Sequence, residues 1–475
     1  MVANLPRELL FLIAEHLRQD GGSLLPYAQV CRDWQSAFEC FTFSKVTVHS
    51  DEVDGVKARE QKGFSLENFR RATSGQNSTR QPWIREIQYD ILVPYELLDW
   101  SLIKEDGYTI NNPLLGPETP ISIQIGLLGC KQGIELEPDT WDYAPEAGTY
   151  RLDFRDGQTQ AVPPYRARLS SPDALSLVPC VDKLTFANVR HPLDPRPRNR
   201  WHQIWAGTVF QIAQRCPTIT ELYLNLNEYV RPDHLEYIRE RRAAVAEGVK
   251  NLPTSLRSLN YIGYKEEPLK PMMSALNVLT SDVDALAISL RDLTPILREL
   301  RLTLVSLPMD FMCPLDNDGR STANTTPHWP NLEQLILDKA PPFLPEGQWL
   351  ALPNAEEQAR IDEVSDWEDE ICNYERGFIR HTVLDTEQFH RLFISWGLIA
   401  RHAPKIKLME YHLNHRVNLG FQFRAGEDVT LCWDPPSSYL SDHRVASAWG
   451  FDLNDLTRNE SGSISITLPC WPPFA

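Results

Sequence analysis

At 475 residues, with 42% apolar and 10% aromatic content, the chain is long enough for a large core plus a small appended module. Its 47 basic against 64 acidic residues leave a formal charge of −17, which argues against a nucleic-acid partner, since phosphate binding needs a concentrated basic face. There is no apolar run of about eighteen residues and no signal-peptide pattern, so neither a membrane span nor secretion is expected; the nine scattered cysteines, with no Cys-x-x-Cys pair, fit reduced, mostly buried thiols in the cytosol or nucleus.

The chain opens on an apolar helical segment. Pro6 suits a first helical turn, where its missing N–H would be unpaired anyway. Leu9, Ile13 and Leu17 then recur every four residues with Leu10 and Phe11 beside them, a wide apolar stripe. Beyond Gly21-Gly22, the residues Leu24, Leu25, Tyr27, Val30, Trp34, Ala37, Phe38 and Phe41 continue the helical spacing through two short helices. Phe43, Val46 and Val48 read as a first strand or N-terminal cap. Some forty residues cannot bury this much apolar surface against themselves, because short segments bury a small fraction of their area.

Residues 1–48 resemble an F-box. The family pattern is matched by Leu5, Pro6, Glu8, Leu9 and Leu10, then Ile13 and Leu17 one and two turns on, then Val30, Cys31, Arg32 and Trp34. The resemblance implies docking of these residues, together with Leu24 and Leu25, onto a Skp-type adaptor and through it a cullin, as in an SCF ubiquitin ligase. Pro26 and the polar loop "RQDGGS" depart from the common pattern.

Residues 49–81 read as a connecting helix around Phe64, Leu66 and Phe69, followed by a mobile polar linker ending in "TSGQNSTRQ". From residue 82 a local pattern returns: proline, any residue, apolar, two of any kind, apolar, any, apolar. It occurs at Pro82, Pro179, Pro217, Pro295, Pro330 and Pro404, and with one extra residue at Pro253. Each copy predicts a short strand entered by a proline that cannot lie in a central ladder. The central apolar residues Leu184, Leu222, Leu259, Leu300 and Leu335 follow one another at intervals of 38, 37, 41 and 35, the mark of a solenoid. Helical patterns lie between them: Trp201, Trp205, Val209 and Ile212; Leu235, Ile238, Val245 and Val249 behind an Asp233/Glu236 capping box; Val283, Leu286, Leu290 and Leu293; and Phe389, Leu392, Phe393, Trp396 and Ile399 behind Asp385.

The fold class is therefore α/β. The unit resembles a leucine-rich repeat, which implies parallel strands with outer helices in an irregular horseshoe over 82–413. Two insertions interrupt it. Residues 107–165 are rich in proline and glycine and read mainly as irregular loop, with a hairpin candidate at Tyr150–Phe154 turning at Asp156-Gly157. Residues 341–385 contain an acidic stretch, 356–370, that reads as a solvated loop. Over 414–475 the period becomes two, with Val417, Leu419, Phe421 and Phe423, then Val429, Leu431 and Trp433, and Ile464, Ile466 and Leu468 closing a β-hairpin cap.

Chemistry is sparse. Nucleophile-elbow, phosphate-loop, dinucleotide and His-Glu-x-x-His signatures are all missing, so no catalytic residue, metal or cofactor is expected. His412, His415 and Cys432 are the nearest approach to a metal set but complete no tetrahedron. Cys31 and Cys40 have apolar neighbours and read as inert core thiols. The cluster Arg190, Arg196, Arg198 and Arg200, with His191, follows the strand ending at Phe186 and could sit on a rim that recognises an acidic or phosphorylated protein; a solvated proline-rich loop is the plainer alternative. The expected function is a non-catalytic substrate receptor for a protein substrate, with neither nucleic acid nor membrane as partner. A ligase-independent interaction scaffold and an enzyme with an unrecognised site remain as alternatives.

Overall fold

The recurring Pro-x-apolar sequence folds as a tight turn. In the computed structural model the amide of the apolar residue bonds back to the carbonyl of the residue before proline: Ile84 to Gln81, Val181 to Val178, Ile219 to Cys216, Leu297 to Thr294 and Ile406 to Ala403, at 3.0–3.5 Å. Proline's fixed φ suits the second position of such a turn, where no N–H is needed. The proline thus sets the turn ahead of the strand; it is not the strand's first residue.

The structure describes residues 5–19, 24–49, 63–94, 121–130, 166–167, 169, 175–186, 203–226, 235–263, 275–322, 328–356, 358–359, 381–413, 419–426, 428–434, 441–458, 463–468 and 471–472. The fold is mixed α/β, with helices and a large mixed sheet and, among the described residues, no closed barrel. The chain divides into two compact units: Met1–Leu136 with Tyr165–Ile204 and Gln211–Tyr223, and Glu137–Pro164 with Trp205–Phe210 and Leu224–Ala475.

The first unit opens with α1 (Arg7–Gln19), α2 (Leu25–Ala28) and α3 (Arg32–Thr42). Strands β1 (Lys45–His49), β2 (Phe64–Ser65), β3 (Glu86–Pro94), β4 (Ile121–Cys130), β5 (Arg166–Ala167), β6 (Val181–Phe186) and β7 (Gln203–Ile204) follow. The order β2-β1-β3-β4-β6 is parallel throughout and places Val46, Ile87, Ile123 and Leu184 side by side in one row. β5 and β7 form a separate parallel pair.

Three expectations change here. Residues 121–130 are a ten-residue strand in register with both neighbours, not irregular loop. The segment read as a mobile linker is a 3-10 helix at Gly75–Trp83, preceded by α4 (Leu66–Thr73), and it is tied down: Gln81, itself buried, donates to the Thr73 carbonyl at 2.6 Å. Phe64, read as helical, lies in β2 opposite Val48. The hairpin at Asp156-Gly157 lies outside the described residues.

The chain then runs through α5 (Ala206–Gln214), β8 (Glu221–Asn225), α6 (Leu235–Lys250), β9 (Ser258–Ile262), α7 (Ala285–Leu293), β10 (Glu299–Thr303) and β11 (Gln334–Ala340). It continues with β12 (Ala351–Pro353), β13 (His381–Leu384), α8 (Thr386–His402), β14 (Leu408–Leu413), β15 (Gly420–Ala425), β16 (Val429–Asp434), α9 (His443–Trp449), β17 (Thr457–Arg458) and β18 (Ile464–Thr467). Trp205 precedes α5, and Val283 precedes α7, whose N-cap is Asp284. Both had been expected inside their helices. Asp385 caps α8 as the sequence suggests, accepting from the Gln388 amide at 3.3 Å.

In the second unit β9, β10, β11 and β14 are parallel, and β15, β16, β18 and β17 continue the sheet antiparallel. One apolar row runs Leu259, Leu300, Leu335, Met409, Phe423, Leu431 and Ile466; the next runs Tyr261, Leu302, Leu337, Tyr411, Phe421, Trp433 and Ile464. All fourteen side chains are buried. This is why a one-residue slip in register is excluded: it would turn both rows to solvent. β12 and β13 form their own antiparallel pair inside the 341–385 insertion.

At the end of β10 and β11 the same repeat position adopts a left-handed backbone, φ +57° at Leu304 and +50° at Lys339. The equivalent residue after β9 is Gly263, where a Cβ would lie 2.7 Å from the Leu304 carbonyl oxygen. Lys339 is exposed, so its backbone strain has no packing return. Lys339→Gly is expected to raise stability by up to about 1 kcal/mol and Lys339→Val to lower it by about 1–2 kcal/mol in urea unfolding.

Helices α8 and α9 are joined by charge. Arg444 donates to both Glu387 carboxylate oxygens at 2.9 and 2.6 Å and to Asp442 at 2.7 Å, while Asp442 caps α9. The Arg444 hydrogen bond holds the Glu387 carboxyl below its ordinary range. Burial pushes Asp442 up, but the Val445 amide and Arg444 outweigh it and leave it depressed. Carboxyls depressed in the folded state add stability above their unfolded values near about 4, and lose it as pH falls through the lower folded values. The urea-midpoint gap between wild type and Arg444→Met should therefore be widest near neutrality and narrow as pH falls below about 4. A gap that is constant with pH would show that the pair contributes nothing.

Candidate functional site

Helix α1 is apolar on two faces. Leu10 and Ala14 point inward, are fully buried, and meet Leu24, Ala37 and Phe38; Ile13, Leu17, Ala28, Trp34 and Phe41 pack around them. Leu9 and Leu12 lie on the opposite face and, with Leu5 just ahead of the helix, are 44%, 61% and 37% exposed. A stripe read from sequence as continuous is thus split between core and surface.

Pro6 starts the helix, its carbonyl accepting from the Leu9 and Leu10 amides at 3.0 and 3.2 Å. Pro26 is the second residue of α2, a first-turn position that tolerates proline, so it fixes the start of that helix and does not break it. A three-ring stack closes the module: Trp34 over Phe38 at 5.2 Å and 12°, with Tyr27 at 5.6 Å from Phe38 and 6.3 Å from Trp34. Tyr27 and Val30 still leave 36% and 54% of their surface outside.

Of the residues singled out from sequence, Leu5, Pro6, Glu8, Leu9, Val30, Cys31 and Arg32 are exposed; Ile13, Leu17 and Trp34 are half-buried; Leu10 and Leu24 are buried; and the Leu25 side chain lies outside the described residues. Leu12 is the addition, and Tyr27, named from sequence only as part of the apolar series, joins the exposed set. The i+7 spacing of Leu12 from Leu5 was available in the sequence but was overshadowed by the Leu9-Ile13-Leu17 series.

Cys31 corrects an expectation. It is the exposed N-cap of α3, with extended backbone and its carbonyl accepting from the Gln35 amide at 2.8 Å, not a core thiol. Cys40 is half-buried and donates to the Ala37 carbonyl at 3.0 Å. Cys180, Cys216 and Cys313 are buried, and burial pushes the Cys216 thiol up to about 12, beyond ordinary reactivity.

The Arg190, Arg196, Arg198 and Arg200 cluster and His415 lie outside the described residues. His412 faces Asp338, with Nδ1 3.7 Å from Oδ1, while Cys432 stands opposite Gln422 in the next row. Among the described residues no group of three His, Cys, Asp or Glu side chains is placed to hold a metal ion, and no helix is long and apolar enough to cross a membrane. Two cavities there are slots about the size of one water molecule, one lined by Arg241, Arg242 and Tyr261 and the other by Ser306, Met309 and Tyr411. The apolar surface of residues 5–30 is therefore the strongest candidate.

No family model, curated protein or solved structure matches this chain.

Proposed function

We propose that the chain is a non-catalytic substrate receptor. In this reading the F-box-like helices α1 to α3 dock on a Skp-type adaptor, and through it a cullin, of an SCF ubiquitin ligase. The strand repeats form a leucine-rich-repeat-like horseshoe, closed by the C-terminal hairpin, that holds a protein substrate in the cytoplasm or nucleus. The contribution to transfer is proximity: tethering raises the effective concentration of substrate near the transfer centre.

One observation carries this reading. Of nine large hydrophobic side chains exposed among the described residues, five, Leu5, Leu9, Leu12, Tyr27 and Val30, fall within the first thirty positions. Concentrated exposure of that kind marks an interaction surface. Covering what remains open of these five contributes about 4–8 kcal/mol gross, against an association cost of about 4–15 kcal/mol. Micromolar binding therefore also needs polar contacts at the rim, for which Glu8 and Arg32 are exposed and available.

The half-burial of Ile13 and Trp34 in the module's own core favours a second reading, a ligase-independent scaffold on the same sheet. Calorimetric titration of the full chain with a purified Skp-type adaptor separates the two. Micromolar or tighter binding is expected; its absence removes the ligase reading and leaves the scaffold.

A further inference from the structure

Only two residues, Phe43 and Ser44, separate α3 from β1, and four interactions converge on one side chain beside that joint. The Arg80 guanidinium donates to both carboxylate oxygens of Glu39 on α3, Nε at 3.1 Å and Nη2 at 2.6 Å. Its third nitrogen, Nη1, donates to the Ala72 carbonyl in α4 at 3.1 Å, and its carbon lies 5.0 Å over the Phe43 ring. Glu39 is steadied from within α3 by the Gln35 amide at 2.8 Å. Both charged side chains are largely covered, 18% and 15% exposed.

A planar fork of this kind fixes angle as well as distance, which a point charge does not. It touches the last turn of the helical module, the ring that begins the sheet, and the helix packed beside β1. Phe43 is itself buried with Val46 and Ile84, so the stacked ring is anchored in the first two repeats. We infer that Arg80 is a positioning residue that locks the three-helix module to the first strands at one fixed orientation. The functional consequence, that a bound adaptor and a bound substrate are held in constant geometry, rests on the docking reading above; the lock itself does not.

The test uses the full chain without any partner, so its outcome is independent of adaptor binding. Spin labels carried on non-natural residues at Glu15 of α1 and Lys183 of β6 report the distance between module and strands, leaving the native cysteines alone. Wild type should give one narrow distance distribution. Arg80→Met, which keeps an apolar stem of similar length but loses the guanidinium fork and its stack on Phe43, should broaden it about twofold or more, and Arg80→Lys should fail to restore it. Exchanging the pair, Glu39→Arg with Arg80→Glu, should recover part of the narrowing through the restored ion pair, though not the bond to the Ala72 carbonyl or the stack on Phe43; a purely local packing role would not respond to that exchange. If Arg80→Met disturbs folding, as judged by circular dichroism, Glu39→Gln gives the same reading with the arginine retained. An unchanged distribution in a folded Arg80→Met or Glu39→Gln variant overturns the inference.

Discussion

Asp284→Ala is expected to destabilise the protein by about 3–5 kcal/mol, because it removes the carboxylate that pairs with a buried arginine. Arg242 in α6 donates to Asp284 at 2.7 Å from Nη2 and 3.2 Å from Nε, and the two side chains are 7% and 4% exposed. The same arginine nitrogen Nη2 also donates to the Ser306 carbonyl at 2.8 Å, so the guanidinium ties α6 to the segment after β10. Asp284 has a second task. It caps α7, its Oδ1 accepting from the Leu286 amide at 3.1 Å, which adds about 1 kcal/mol. Removing the carboxylate therefore loses the cap and takes away the charge partner of a buried cation. The double variant Arg242→Met with Asp284→Ala should regain most of the loss, since an apolar side chain of similar length suits that site better than a buried cation that has lost its carboxylate. Urea midpoints of the single and double variants decide it. Equal midpoints would show that the cap and not the lost ion pair sets the cost.

That pair also shows what the sequence conceals. The helical pattern over "LEYIRERRAAVAEGVK" rests on Leu235, Ile238, Val245 and Val249 and gives its arginines no place in the core. Three-dimensional pairing across 42 positions turns Arg242 inside, and a one-dimensional pattern carries no sign of it. By contrast, the strands announced themselves because two demands coincide in one motif: a turn that wants proline and a strand that alternates onto a buried row. β4 was missed for the same reason. Its preceding Pro120 stands where the other copies have their first apolar residue, so "ISIQIGLLGC" lacked the lead that marks its neighbours, and its register between β3 and β6 alone identifies it. The C-terminal hairpin was legible because period two is strict there; α9 was not, since its seven residues are too few to establish a period. The docking face was half legible. Apolar excess and motif both mark residues 5–34, but which of the two faces of α1 turns outward depends on where α3 packs, and that is a tertiary choice.

Leu9→Asp combined with Leu12→Asp should leave the chain folded and weaken adaptor binding about 100-fold or more. Both side chains are already largely in water, at 44% and 61% exposure, and surface changes of this kind shift stability by about 0.5 kcal/mol or less. In a complex the two carboxylates would be carried into an apolar contact without a partner, at a cost of at least 1–3 kcal/mol each by the scale of protein substitutions. Together that is about 2–6 kcal/mol, a range centred above the roughly 2.8 kcal/mol that corresponds to 100-fold. Leu10→Asp is the contrasting variant. Leu10 is fully buried against Ala14, Leu24, Ala37 and Phe38, so an aspartate there should unfold the module and abolish the near-ultraviolet signal of the Tyr27, Trp34 and Phe38 stack. A variant that loses binding while keeping that signal assigns the loss to the surface itself. If the Leu9 and Leu12 double variant binds the adaptor as wild type does, the outward face of α1 is not the docking face, and Tyr27 and Val30 at the α2–α3 corner must carry the contact without it.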